Sequence, residues 1–185
     1  MGGRDGQEPS SAQVSRPIRR VAPDMPAGYV PSAAETWFLE WEAVEARLRE
    51  STHYWLASTY PDGRPHVVPR WGVWLSGRFW YDGSPETRHV KNLNENENIA
   101  LHLESGAQAV IVYGRSQRSR PIDTELGERL SGEFVRKYAE LGYAPGPDSW
   151  AGDDAGGMRR MEPQTAIAWT SFPGDLTRFE FDSAS

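Results

Sequence analysis

Arg64-Pro-His-Val-Val-Pro-Arg-Trp-Gly-Val-Trp-Leu-Ser-Gly-Arg-Phe-Trp-Tyr-Asp-Gly-Ser-Pro-Glu-Thr-Arg-His-Val-Lys-Asn-Leu93 is the stretch whose reading decides the fold. Residues 66 to 74 are rich in β-branched and aromatic types, which suit a pleated, half-buried strand. Ser76-Gly77 supplies a tight turn into a second strand, Arg78 to Asp82. Gly83 breaks that strand, Ser84 can cap a helix, and Pro85 suits a first helical position, where an N–H has no partner to lose. A helix N-terminus straight after a strand is a ready anion site, and Arg88 and Lys91 lie three apart on one helical face. The local reading is a hairpin feeding a phosphate receptor.

Working outward, His53 to Tyr60 reads as an aromatic strand ended by the turn Pro61-Asp62-Gly63, so the first strands form a meander. Before it, Trp37, Trp41, Val44 and Leu48 recur at helical spacing, predicting a helix that covers one end of a sheet. Residues 1–31 are Gly, Ser, Pro, Gln and charge, with a basic cluster at Arg16, Arg19 and Arg20. They are expected to form a disordered N-terminal tail, or an arm lying across a partner subunit, ahead of a single domain over 32–185.

After the opening stretch, Ile99 to Leu103 and Ala109 to Tyr113 read as further strands, with Ser105-Gly106 turning the chain between them. Asp123 and Thr124 open a helix carrying Leu126, Leu130, Phe134 and Tyr138 on one side. Residues 142–157 are a Gly-, Pro-, Asp- and Ser-rich loop, and Thr165 to Ser171 and Leu176 to Phe181 are two closing strands. Turns every 8–12 residues or so point to a small antiparallel barrel or sandwich.

Composition narrows the function classes. Net charge is −6, from 20 basic and 26 acidic side chains, which argues against a nucleic-acid protein held by a global positive field. Cysteine is absent, excluding disulfides and thiolate chemistry. The expectation is a cytoplasmic protein, with no membrane partner, because no apolar run reaches spanning length and no secretory h-region is present. His66 and His102 lack a further ligand at metal spacing, so no metal site is expected. No Gly-x-Ser-x-Gly elbow, Walker loop or Gly-x-Gly-x-x-Gly loop is found.

The order of pieces resembles the pyridoxamine 5′-phosphate oxidase-like FMN-binding split-barrel family, which includes flavin- and deazaflavin-dependent oxidoreductases. The resemblance runs over residues 37–181. It is carried by Tyr54-Trp55-Leu56-Ala57-Ser58-Thr59, Asp62-Gly63-Arg64-Pro65-His66-Val67-Val68-Pro69, Trp71-Gly72-Val73-Trp74, Arg88 to Leu93, Val110 to Gly114 and Thr177-Arg178-Phe179-Glu180-Phe181. It implies a mainly β, six-stranded antiparallel split β-barrel with flanking helices, forming a homodimer with cofactor sites at the interface. The implied cofactor is flavin mononucleotide (FMN) or the deazaflavin coenzyme F-420, and the implied reaction is hydride transfer to or from a small organic substrate.

Carried over residue by residue, His66, Val67, Val68, Pro69, Arg70 and Trp71 would line the ring. Tyr81, Asp82, Ser84, Thr87, Arg88 and Lys91 would hold ribityl and phosphate, and Tyr81 and Arg70 are candidate proton donors. Trp71 and Trp74 are an odd number apart on a strand, so only one of them can face a given cofactor. Where the family usually reads Ser-Arg-Lys-x-Arg-Asn-Leu, this chain has Thr87-Arg88-His89-Val90-Lys91-Asn92-Leu93. Losing one of three cations should weaken phosphate binding roughly tenfold to hundredfold. The alternative functions are a non-catalytic cofactor carrier and a heme-binding relative, with His89 and His66 as the residues to examine.

Overall fold

The structure, a computed structural model, describes residues 17–26, 28–29 and 37–182. Its strands are β1 (Pro17–Val21), β2 (Tyr54–Thr59), β3 (Pro65–Arg70), β4 (Val73–Leu75), β5 (Arg78–Asp82), β6 (Asn98–His102), β7 (Val110–Arg118), β8 (Met158–Ala168) and β9 (Thr177–Phe181). Three α-helices flank them: α1 (Trp41–Glu50), α2 (Arg88–Glu95) and α3 (Thr124–Tyr138). Every pairing is antiparallel, in the order β1-β9-β8-β7-β6-β2-β3, with β4 and β5 joined through the β5–β8 pair. The sheet is mainly β with flanking helices, as expected, but it is an open split barrel, with nine strands among the described residues rather than six.

The split originates in β8. Its first half, Met158 to Met161, pairs with β5, and its second half, Thr165 to Ala168, pairs with β9, while β7 runs along its other edge throughout. Pro163 sits between the halves, where a missing N–H costs no ladder bond, and a register shift falls opposite it between Tyr113 and Gly114. Gly114 is required there, since a Cβ would lie 2.1 Å from the Glu162 carbonyl oxygen.

The 66–74 run, read as one strand, is two. A Cβ on Gly72 would meet the Phe79 ring at 2.4 Å and the Trp80 carbonyl at 2.6 Å, so the backbone can pack there only as glycine. The Gly72 N–H donates to the Tyr138 hydroxyl at 3.0 Å, taking it out of the ladder. Ser76 and Gly77 adopt the two positive φ values of the expected hairpin turn. Residues 17–21, expected within an unstructured tail, form β1, because β9 offers an open edge and Arg19 pairs with Glu180 at 2.6 Å. Arg16 lies outside the described residues.

Two cores result. The first lies under the barrel and α1: Trp41, Val44 and Leu48 are buried as their spacing predicts, and Trp41 meets Trp74, Phe179 and Phe181 edge-on at 5.0–6.2 Å. Trp37, the first residue of that pattern, precedes the helix and is exposed. The second core joins β4 and β5 to α3, whose cap Asp123 accepts from the Leu126 N–H at 2.9 Å. Trp150, from the 142–157 segment, is buried in this second core, so the segment is pinned rather than free-standing. No helix of the described residues is long and apolar enough to cross a membrane.

Candidate functional site

The end of β5 delivers Asp82 to a junction of three strands. Across the ladder Asp82 lies opposite Met158, Tyr81 opposite Arg159, and Arg159 opposite Arg118. Past this junction the chain turns through Gly83-Ser84-Pro85 into α2. Between these pieces lies a cavity of about 370 Å³, lined by Arg70, Asp82, Ser84, Arg118, Asp154 and Arg159, with backbone from Gly83 and Gly157. The Gly83 N–H donates to the Gly157 carbonyl at 3.3 Å, tying the 142–157 segment to the exit of β5.

The cavity wall is cationic and held in place by neutral groups. Arg159 is 3% exposed and donates to the Ser116 hydroxyl (3.3 Å), the Ser116 carbonyl (3.1 Å), the Asn94 side-chain oxygen (3.0 Å) and the Leu93 carbonyl (3.4 Å). The Tyr81 hydroxyl, wholly buried, shares a 2.6 Å bond with the Ser116 hydroxyl and so braces that arrangement from behind. Burial pushes the Tyr81 phenol above its usual range, partly offset by Ser116 and Arg159, so it stays protonated. Arg70 donates to the Asp82 backbone carbonyl, and the Tyr143 hydroxyl donates to the Asp82 carboxylate. The Arg70 Nε is buried with no hydrogen-bond partner.

His89 sits immediately behind the cavity. It is 3% exposed, its Nε2 has no partner, and a Cβ on Gly83 would lie 3.0 Å from that nitrogen. Burial, then the charge of Arg70, the neighbouring His66 and the charge of Arg159 lower its pKa to about 4. It is therefore neutral at pH 7 and is no phosphate cation.

Of the twelve residues singled out from the sequence, Arg70, Asp82 and Ser84 line the cavity together. On β3, His66, Val68 and Arg70 share the inner side, and the Ser58 hydroxyl lies 3.4 Å from the His66 Nδ1. Val67 and Pro69 face outward and are exposed. Trp71 stacks on Tyr138 at 5.0 Å beside the second core, while Trp74 belongs to the first; the break between β3 and β4, not alternation along one strand, separates them. Ser84 does not cap α2. It opens a turn whose carbonyl accepts from the Thr87 N–H at 3.0 Å and the Thr87 hydroxyl at 2.7 Å, and the helix starts at Arg88. Lys91 pairs with Glu86 at 2.8 Å and Arg88 lies over the Tyr60 ring at 5.2 Å, both exposed and outside the cavity wall.

Arg118, Arg159, Asn94 and Asp154 also line the cavity and are not among the residues singled out from the sequence. The signal available was Met158-Arg159-Arg160, two arginines beside the first apolar residue of a strand. Among the described residues no group of three or more His, Asp or Glu side chains could hold a metal ion.

Residues 41–166, more than half of the chain, match the pyridoxamine 5′-phosphate oxidase family. No curated protein matches the sequence. Among solved structures, a heme-binding protein from Mycobacterium smegmatis superposes with a TM-score of 0.55 at 18% identity, over 82% of this chain and 59% of that one. A conserved hypothetical protein from Mycobacterium tuberculosis gives 0.53 at 17% identity, over 76% and 89% of the two chains. HupZ from Group A Streptococcus gives 0.50 at 12% identity, over 73% and 97%. At these identities the likeness is one of fold. With the family matched across both cores and the β5–α2 junction, the chain belongs to the pyridoxamine 5′-phosphate oxidase family.

Proposed function

We propose that the chain is an oxidoreductase that binds FMN or a deazaflavin at the β5–α2 junction and acts on a small organic substrate. The observation that carries this reading is the convergence of Arg70, Asp82 and Ser84 on one cationic cavity in a chain of this family. The donor set fits the polar end of such a cofactor: two buried nitrogens, Arg70 Nε and His89 Nε2, lack partners at or beside the cavity. None of its lining side chains is aromatic, so the cavity suits a ribityl phosphate and leaves the ring to the β3 side. When bound, the cofactor supplies the hydride chemistry. Arg70 would orient the ligand, Ser84 would donate to it, and Asp82, held by Tyr143, would accept from a hydroxyl.

Absorbance titration of the purified chain with FMN, and separately with coenzyme F-420, tests the reading. One of the two should bind saturably, and Arg70→Met should weaken that binding about tenfold by removing a charge-assisted contact. Binding of neither would overturn it. The same spectra would reveal heme, the ligand named for the Mycobacterium smegmatis neighbour, and turnover with a reductant separates an enzyme from a carrier.

The functional unit in this proposal is a homodimer. Val67, Ala57, Ala100 and Tyr113 form one cross-strand row on the outward face of β3, β2, β6 and β7, with Pro69, Trp55, His102 and Ile111 in the next row. Val67 is 52% and Tyr113 41% exposed, and a sheet face of this kind, apolar apart from His102, suits a self-complementary interface. Light scattering should give a dimer for the wild type and a monomer for Ala100→Glu; a wild-type monomer at micromolar concentration would refute the dimer.

A further inference from the structure

We infer that the anionic end of the ligand is a phosphate monoester held by Arg118 and Arg159, side by side on β7 and β8, rather than by the cations of α2. The inference rests on the cofactor-binding reading above and names the groups that would read its anion. Arg118 and Arg159 are direct cross-strand neighbours. Like charges in that position repel, and an arginine is rarely buried without an acidic partner. Yet Arg159 is 3% exposed, all four of its acceptors are neutral, and neither arginine has an ion-pair partner among the described residues. Four of the five guanidinium N–H groups of Arg159 are used; the fifth is on the nitrogen that reaches Asn94, another cavity residue. The fold thus holds two adjacent positive charges, neither in an ion pair among the described residues, at a cavity wall that with Arg70 carries three cations against the carboxylates of Asp82 and Asp154.

The helix cations are engaged elsewhere. Lys91 is paired with Glu86 at 2.8 Å, Arg88 lies over Tyr60, and His89 is neutral. The carboxylates nearby are already fixed: Asp154 accepts from the Gly156 N–H at 3.0 Å, and Asp82 accepts from Tyr143. A terminal phosphate, with several free oxygens, matches a pair of guanidinium forks. At about 370 Å³ the cavity is at the small end of ligand pockets, with room for a short anionic tail. A phosphate ending a short polyol, as in FMN, is the matching class.

The test measures affinities of the full chain for FMN, riboflavin and inorganic phosphate, the last by thermal shift. Arg159→Met can fail to fold, so the exposed Arg118 carries the experiment. Arg118→Gln should weaken FMN binding about tenfold and leave riboflavin binding unchanged. The helix variant Arg88→Gln/Lys91→Gln should change FMN affinity by less than about twofold, as screened surface charges do. An Arg118→Gln variant with wild-type affinity for FMN, or a larger loss in the helix variant, would overturn the assignment. If neither FMN nor coenzyme F-420 binds the wild type, the oxidoreductase reading fails while the anion site is still decided by phosphate. Stabilisation of the wild type by millimolar phosphate, lost in Arg118→Gln, supports the site; equal or absent stabilisation in both overturns it.

Discussion

Trp150→Ala should cost about 3–5 kcal/mol of stability, the range for truncating a fully buried tryptophan, and should weaken ligand binding although Trp150 does not line the cavity. Trp150 is 1% exposed, packs against Phe134 at 5.5 Å between ring centres, and its carbonyl accepts from the Ile122 N–H at 2.9 Å. It is the largest side chain that the 142–157 segment buries in the core between α3 and the β4–β5 hairpin. Downstream, the same segment supplies Asp154, Gly156 and Gly157 to the cavity. Without the anchor, those residues are held by the small buried side chain of Ala155, short-range turns and the Gly83–Gly157 bond. The midpoint of urea unfolding should fall accordingly, and limited proteolysis should cut within 142–157 while the barrel resists. Trp150→Phe should recover most of both effects, since much of the apolar volume returns. A Trp150→Ala protein with wild-type resistance to protease would show that the segment is anchored elsewhere.

What could be read from the sequence was local. The Ser76-Gly77 turn, the limits of β5 and the Asp123 cap each have a backbone or capping reason within a few residues, and each is found where the residues put it. The hydrophobic spacing of α3 likewise needed no partner to be interpreted. The failures are non-local. The break at Gly72 is set by the Phe79 ring and the Tyr138 hydroxyl, which lies 66 positions along the chain. The late start of α2 comes from the Ser84 turn winning over a capping role for the same side chain. Arg159 could not be picked out because its role depends on Leu93 and Asn94, 66 and 65 positions earlier, and on the sharing of β8 between β5 and β9. The Thr87-Arg88-His89 segment marked the family well and the charge distribution poorly, since burial of His89 is a tertiary fact.

That burial inverts one expectation from the resemblance. Restoring the family's lysine, His89→Lys, would by sequence alone add a phosphate cation and tighten binding. In the fold it should destabilise the protein by about 3–5 kcal/mol, because an ammonium would be buried without an acidic partner near Arg70 and Arg159. The native imidazole avoids that cost by remaining neutral, and this makes it an acid sensor of stability. Its pKa is about 4 in the fold against 6.5 for an unperturbed histidine. Between those values the unfolded chain binds the proton and the folded chain does not, so stability falls as pH drops from 6.5 to 4 and levels off below that. The full loss for this group is at most roughly 3 kcal/mol. Urea unfolding at pH 7 and pH 4.5 measures it: the wild type should lose most of that amount, and His89→Gln, which cannot titrate, should show a visibly flatter pH dependence. An identical pH dependence in wild type and His89→Gln would mean that His89 is protonated equally in both states, and the neutral, cavity-backing role assigned to it would have to be abandoned.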